Sequence, residues 1–375
     1  MVVFSGGGTG GHLYPALAIA DALRARRPDV RAVFVGAERG IEARILPARE
    51  KDFHLLPVRG MDRGSRISAL WAAPALLRSV LAARRLLSGL RPEVVVVTGG
   101  YASAPAGLVA GLTSVPLVIQ EQNSLPGAAT MMLSRWAETI HIAFPEAADH
   151  LPAPVRGRVT LSGNPIRASS PQDPRQAREQ FGLPADAVVA LVVGGSQGAM
   201  ALNDLVVEGV CEVVDGRLER PDTLHLLWAT GTSHHEAVTD SLSESGGPHW
   251  VHALPYINDM PSALAAADIT VSRAGAIFTA ERLNAGLPAL LVPLPTAAAN
   301  HQAHNAESLA DAGAAIVLHQ AGLTGTALFT EIARLAMDDD ARRRMSAAAN
   351  ELARPNAADD IARSIEALFA DEAST

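Results

Sequence analysis

Two glycine-rich runs in this sequence each follow a short apolar, β-branched run. Val2-Val3-Phe4 leads into Gly6-Gly7-Gly8-Thr9-Gly10-Gly11, and Ala190 to Val193 leads into Gly194-Gly195-Ser196-Gln197-Gly198. A glycine turn between a parallel strand and a helix sets bare backbone N–H groups at the positive end of the helix dipole, where a diphosphate can sit. Neither run has the dinucleotide spacing G-x-G-x-x-G with an acid about 20 residues on, and neither carries the lysine of a Walker loop. Two turns at matched positions, each with a hydroxyl (Thr9, Ser196), make anion binding the expectation for one or both. His12 follows the first turn at the carboxyl end of its strand, where open α/β sheets bind ligands. It reads as a general base or as a helix-start histidine bonded to local backbone.

A third candidate is Ser272-Arg273-Ala274-Gly275-Ala276-Ile277-Phe278-Thr279-Ala280-Glu281, after the apolar run Ile269-Thr270-Val271. Gly275 permits a tight turn that opens a helix, and Glu281, one to two turns inside, either reaches a ribose diol or is a solvated helix glutamate. His301, Gln302, His304 and Asn305 form a polar cluster that either orients sugar hydroxyls or caps a helix. Asp338-Asp339-Asp340 precedes an arginine-rich helix and reads as a helix start, where acids favour the dipole, rather than as metal ligands. Cys211 is the single cysteine, too few for a disulfide or a thiolate zinc cluster. Neither a metal ion nor an organic cofactor is expected.

Charge is distributed unevenly. The 31 Lys+Arg against 39 Asp+Glu give −8 overall, which disfavours nucleic acid as a partner. Between Arg59 and Arg91, however, seven arginines (59, 63, 66, 78, 84, 85, 91) oppose only Asp62, and Ile67, Leu70, Trp71, Leu76, Leu77, Val80 and Leu81 lie among them. Such a segment either docks on anionic lipid or is a helix solvated on one face and packed on the other.

The elements that must hold these groups are legible as alternating apolar runs and alanine-rich helical stretches. Val33 to Val35, Val94 to Val97, Val188 to Val193, Leu224 to Trp228, Ile269 to Val271 and Leu290 to Val292 are hydrophobic at every position but His225 and Thr270, as strands covered on both faces must be. The class is α/β, doubly wound. The uncharged stretches Val94 to Gln120 and Leu283 to Asn305 contain too many glycines and prolines for a continuous membrane-spanning helix. With 375 residues and glycine turns 187 positions apart (196 − 9), two domains of one architecture are expected. Leu161 to Pro165, with Ser169-Ser170-Pro171 and Pro174, reads as the linker, the first helix as Pro15 to Arg24, and the last helix as Asp359 to Phe369. A strand beginning at Met1 leaves no room for an export signal.

Several motifs occur together in a recognisable order: Gly7 to His12 with Pro15-Ala16-Leu17-Ala18, Gly99-Gly100-Tyr101, Glu121-Gln122-Asn123, Gly163 to Arg167, Gly194 to Ala199, Ile257 to Met260, Arg273 to Glu281, and His301 to Asn305. Across nearly the whole chain the sequence resembles the MurG family, the UDP-N-acetylglucosamine transferases that convert lipid I to lipid II in peptidoglycan synthesis. The resemblance implies a GT-B fold: two Rossmann-like domains with an inter-domain crevice, the acceptor- and membrane-side domain at 1–163 and the UDP-GlcNAc domain at 164–354, with 355–375 packing back on the first. Carried over by motif, Thr9, Gly10 and Gly11 would line the donor phosphates and acceptor site, and His12 would be the base, with Glu121 next in line. Asn123 would meet the sugar or acceptor, Arg167 and Ser196 the nucleotide and diphosphate, and Ile257 the uracil through its backbone. Ala276 and Ile277 would meet phosphate through N–H groups, Glu281 the ribose, and His301 with Gln302 the GlcNAc hydroxyls. Phe278 departs from the threonine of many members, and His301 from the glutamine of some. The implied partners are UDP-GlcNAc, lipid I and the anionic cytoplasmic face of the bacterial membrane. A UDP-GlcNAc 2-epimerase of the same architecture and a non-catalytic nucleotide-sugar-binding subunit are the rival readings.

Overall fold

The computed structural model describes residues 1–58, 66–167, 172–195 and 199–372, with the side chains of 66–75 and 370–372 outside the description. The chain divides into two compact units, Met1–Ala168 with Arg354–Thr375, and Ser169–Ala353.

The apolar runs form two wholly parallel sheets. In the first unit, β1 (Val2–Ser5), β2 (Ala32–Ala37), β3 (Phe53–Leu56), β4 (Val94–Val97), β5 (Leu117–Glu121), β6 (Thr139–Ile142) and β7 (Val159–Leu161) lie in the order β3-β2-β1-β4-β5-β6-β7. In the second, β8 (Val188–Val193), β9 (Leu224–Ala229), β10 (Val251–Leu254), β11 (Ile269–Ser272), β12 (Ala289–Leu291) and β13 (Ala315–Val317) lie in the order β10-β9-β8-β11-β12-β13. Alternate residues of each central strand feed separate cores on the two faces: Val3, Val33 and Val95 enter one, Val2, Phe4, Val94 and Val96 the other. That two-sided burial is why these strands are apolar at every position rather than at every second one.

Local chemistry sets the helix ends. The first helix spans Gly10–Arg26, not Pro15 to Arg24, because the N–H groups of His12 and Leu13 already reach the carbonyl of Thr9, its N-cap. The last spans Ala357–Glu372 and packs on the first: Ile361, Ala362 and Ile365 are fully buried, and Arg26 bonds Asp359 at 3.1 Å and Glu366 at 2.9 Å. The acidic triplet behaves as a helix start, with Asp338 accepting the N–H of Ala341.

The expected linker at Leu161 to Pro165 is instead interior from Ser162 to Pro165. Asn164 is buried against Gln120 and Gln122, Ser162 against His141, and a Cβ on Gly163 (φ +89°) would lie 2.4 Å from Cβ of Arg354. Buried amides in a hydrogen-bonded network cannot serve as a solvated connector. Of the remaining linker residues, 169–171 lie outside the description, and Pro174 opens the helix Pro174–Gln180 under an Asp173 cap. Among the described residues, no helix is long and apolar enough to cross a membrane.

Candidate functional site

In the first sheet the winding direction reverses between β1 and β4, and ligands of open α/β sheets bind outside the carboxyl ends of such strands. The loops after β1, β4 and β5 emerge there. Thr98, directly after β4, donates its hydroxyl to the carbonyl of His12 at 2.7 Å. Gly99 and Gly100 follow with φ of +87° and +74°, and a Cβ on either would lie 2.9 Å from the His12 ring. Only glycines let the imidazole lie against this backbone. Nδ1 of His12 sits 2.9 Å from Oε1 of Gln122 and 3.1 Å from the carbonyl of Thr98. The ring therefore engages the β4 and β5 loops rather than the backbone around its own helix start.

The glycine turn is not uniformly bare. Gly8 N–H is taken by the carboxylate of Glu42, so the expected open N–H array begins only at Gly10 and Gly11 in the first helical turn. Thr9 is exposed and its side chain does not close that turn. Glu121, expected as a reserve base, is buried and accepts from the N–H groups of Asn123 (3.0 Å) and Gly127 (2.9 Å) and the hydroxyl of Thr130 (2.6 Å). A carboxylate so engaged shapes the loop that carries Asn123. Arg167 lies exposed on the same unit, beyond Asn164.

The second sheet repeats the arrangement, with its reversal between β8 and β11. Gly194-Gly195 follows β8, Gly195 with φ +107°; Ser196 lies outside the described residues. After β11, Arg273 turns inward and donates to the carbonyls of Val292 (2.9 Å) and Pro293 (3.3 Å), which ties the β11 loop to the β12 loop. Asn305 donates to the carbonyl of Ala274 at 3.3 Å and fixes the same loop to the helix His301–Asp311. Sequence reasoning had no signal for these two tethers, since both partners are backbone carbonyls. Gly275 caps the helix Ala276–Asn284, leaving Ala276 and Ile277 in its half-buried first turn.

Glu281 is not a solvated glutamate: burial pushes its carboxyl up to about 7. Gln302 accepts the N–H of Leu294 through Oε1 (3.0 Å), which turns its NH2 outward as a donor. His301 Nδ1 lies 2.7 Å from the carbonyl of Ala298 and so carries a hydrogen, leaving Nε2 as an acceptor in the neutral ring. One acceptor beside one donor suits a polyhydroxyl ligand. His304 points elsewhere, exposed and 3.6 Å from Glu307. Ile257 buries its side chain in the core that holds Leu264 and Leu191, so only its backbone is available to a ligand.

Residues 2–142 match the glycosyltransferase family 28 N-terminal domain and 189–361 its C-terminal domain. A UDP-N-acetylglucosamine–N-acetylmuramyl-(pentapeptide) pyrophosphoryl-undecaprenol N-acetylglucosamine transferase from Salinibacter ruber is 42% identical, covering 98% of this chain and 96% of its own. The crystal structure of MurG from Acinetobacter baumannii superposes with a TM-score of 0.76 at 28% identity, over 97% of this chain and 98% of that one. The chain belongs to the MurG family. A putative UDP-N-acetylglucosamine 2-epimerase from Listeria monocytogenes reaches a TM-score of 0.68 over 99% of this chain and 96% of its own, but at 16% identity, a likeness of fold alone. This MurG-family chain places Phe278 half-buried against the core of its second unit.

Proposed function

We propose that this chain is an inverting glycosyltransferase that moves GlcNAc from UDP-GlcNAc to the C4 hydroxyl of MurNAc in undecaprenyl-pyrophosphoryl-MurNAc-pentapeptide, making lipid II. The observation that carries the reading is the 42% identity to a transferase of that name across 98% of the chain. Nε2 of His12 takes the proton of the C4 hydroxyl as that oxygen attacks the anomeric carbon from the face opposite the diphosphate. The bond to UDP breaks in the same displacement, and the configuration inverts. The departing diphosphate gains negative charge, which the N–H groups of Ala276 and Ile277 at a helix start, with Arg167 and Ser196, are suited to stabilise. Glu281 takes the ribose, the backbone of Ile257 the uracil, and His301 with Gln302 the GlcNAc hydroxyls. Thr9, Gly10, Gly11 and Asn123 serve the acceptor side and the donor phosphates. The first unit, residues 1–168 with 354–375, is read as the acceptor domain and the second, 169–353, as the donor domain.

The same reading puts the protein on the cytoplasmic membrane surface as a peripheral enzyme. On the helix Arg66–Leu90, Leu77 is 60% and Leu81 46% exposed beside exposed Arg78, Arg84 and Arg85, while Ala83 and Leu87 pack inward. Arg59, Arg63 and the side chains of Arg66 and Trp71 lie outside the description. Incubation with UDP-GlcNAc is expected to release UDP only when lipid I is added. Conversion of UDP-GlcNAc to its C2 epimer, as UDP-N-acetylmannosamine or as N-acetylmannosamine with UDP, in the absence of lipid I would establish the epimerase instead, and binding without any of these products a non-catalytic subunit.

A further inference from the structure

Three side-chain amides stand behind His12, all 5% exposed or less: Gln122, Gln120 and Asn164. An amide's oxygen and nitrogen look alike in shape, so its orientation has to come from its partners. Here the partners are backbone carbonyls, which only accept. Nε2 of Gln122 faces the carbonyls of Thr98 at 2.8 Å and of Gln120 at 3.0 Å. Reversing this amide would set oxygen against oxygen twice in a buried site. Nε2 of Gln120 faces the carbonyl of Glu121 at 3.2 Å, and Nδ2 of Asn164 faces the carbonyl of Gln122 at 3.0 Å. The amides also bond one another in the same sense, Gln122 Nε2 to Gln120 Oε1 and Gln120 Nε2 to Asn164 Oδ1. Each fixed orientation supports the next.

The end of this chain of amides is the oxygen of Gln122, 2.9 Å from Nδ1 of His12, with the Thr98 carbonyl 3.1 Å from the same nitrogen. Two acceptors facing one ring nitrogen require a hydrogen on it. We propose that Gln122 is a positioning residue that holds neutral His12 in the Nδ1–H tautomer, so that the lone pair lies on Nε2. This rests on the reading of His12 as the base. When Nε2 takes the acceptor's proton, the Nδ1–H bond to Gln122 persists and the ring keeps its orientation. The orienting group is neutral, so it selects a tautomer without supplying a counter-charge to the imidazolium, unlike the carboxylate of a Ser-His-Asp triad.

Nitrogen-15 NMR of the full-length protein, with the His12 signal assigned by its loss in His12→Gln, reads the tautomer directly. The expected pattern is a protonated Nδ1 and an unprotonated Nε2 in the neutral ring; a dominant Nε2–H form in the wild type overturns the proposal. Gln122→Met keeps the length and removes the acceptor. It is expected to admit the Nε2–H form and lower kcat about tenfold, less than a full tautomer error costs because Thr98 still accepts, with KM for UDP-GlcNAc unchanged. A folded Gln122→Met protein with wild-type tautomer and wild-type kcat overturns the proposal as well. If that variant does not fold, the wild-type spectrum still decides. A wild-type Nδ1–H pattern combined with His12→Gln turnover within fivefold of wild type leaves the tautomer lock standing and removes His12 as the base.

Discussion

The Glu42 carboxylate accepts the backbone N–H of Gly8 with both oxygens at 2.9 Å. It is fully buried and also takes the N–H of Ala37 at 3.0 Å. Cβ atoms on Gly7, Gly36 and Gly40 would lie 2.0, 2.3 and 2.1 Å from its side chain. The first glycine turn is thus built around an anion supplied by the protein itself. Gly7 of that turn, like Gly36 in β2 and Gly40 after it, is explained by room for that carboxylate rather than by room for a ligand.

Removing this internal anion is expected to be costly. Glu42→Ala strands two buried N–H groups and opens a cavity, a loss of about 3 kcal/mol or more in unfolding free energy. Gly36→Ala is expected to destabilise the wild type through its clash with Glu42 and to cost less in the Glu42→Ala background. Urea unfolding of the two single variants and the double variant measures this coupling; strictly additive losses would refute it.

Glu281 predicts a pH-dependent donor affinity. Ribose hydroxyls donate to a carboxylate and favour its charged form, whereas the free group titrates at about 7. Binding therefore expels a proton, and UDP affinity falls as pH drops through that value, by at most about tenfold per pH unit. Glu281→Gln is expected to flatten the profile. At a pH well above 7, loss of a charge-assisted bond of about 1.5–3 kcal/mol weakens UDP at least about tenfold. Calorimetry across the range checks both, and an unchanged UDP affinity in the folded variant removes Glu281 from the site.

His141 predicts an acid-labile first unit. Burial lowers its imidazole to about 4, and Ser162 meets Nδ1 at 2.7 Å. The folded state disfavours the charged ring, so the stabilisation is complete above the unfolded value near 6.5 and is lost as pH falls from there towards 4. The linkage amounts to about 3 kcal/mol over that window. His141→Gln is expected to make unfolding free energy between pH 4 and 6.5 shallower in slope than in the wild type, and an unaltered slope would refute the assignment.

Membrane docking predicts a salt-sensitive surface. On the proposed docking, exposed Arg84 and Arg85, near exposed Leu77 and Leu81, would each contribute about 1 kcal/mol on anionic lipid, screened by salt. Co-sedimentation with anionic vesicles is expected to drop sharply at high salt and in the Arg84→Glu, Arg85→Glu double variant. Equal binding to neutral and anionic vesicles at low salt would remove the electrostatic part.

The sequence by itself determined the class and the central strands, not the half-exposed ones such as Phe53–Leu56, Val159–Leu161 and Val251–Leu254. Strands buried on both faces have to be apolar throughout, so Val94 to Val97 and Val188 to Val193 are readable without a structure, and glycine turns placed after them mark where a ligand meets the sheet. What tertiary structure decided depends on partners far apart in the chain or on backbone carbonyls, which leave no residue-type signature. Whether Ser162 to Pro165 is linker or interior turned on amides at 120 and 122. Whether Glu281 is solvated turned on packing around its helix, and which glycine N–H remains open turned on Glu42, 34 residues from Gly8. The proton position on His12 is the furthest from sequence, because an imidazole's tautomer follows from the atom facing each nitrogen. Here that atom is the oxygen of Gln122, 110 residues away, held in place by carbonyls that every residue possesses.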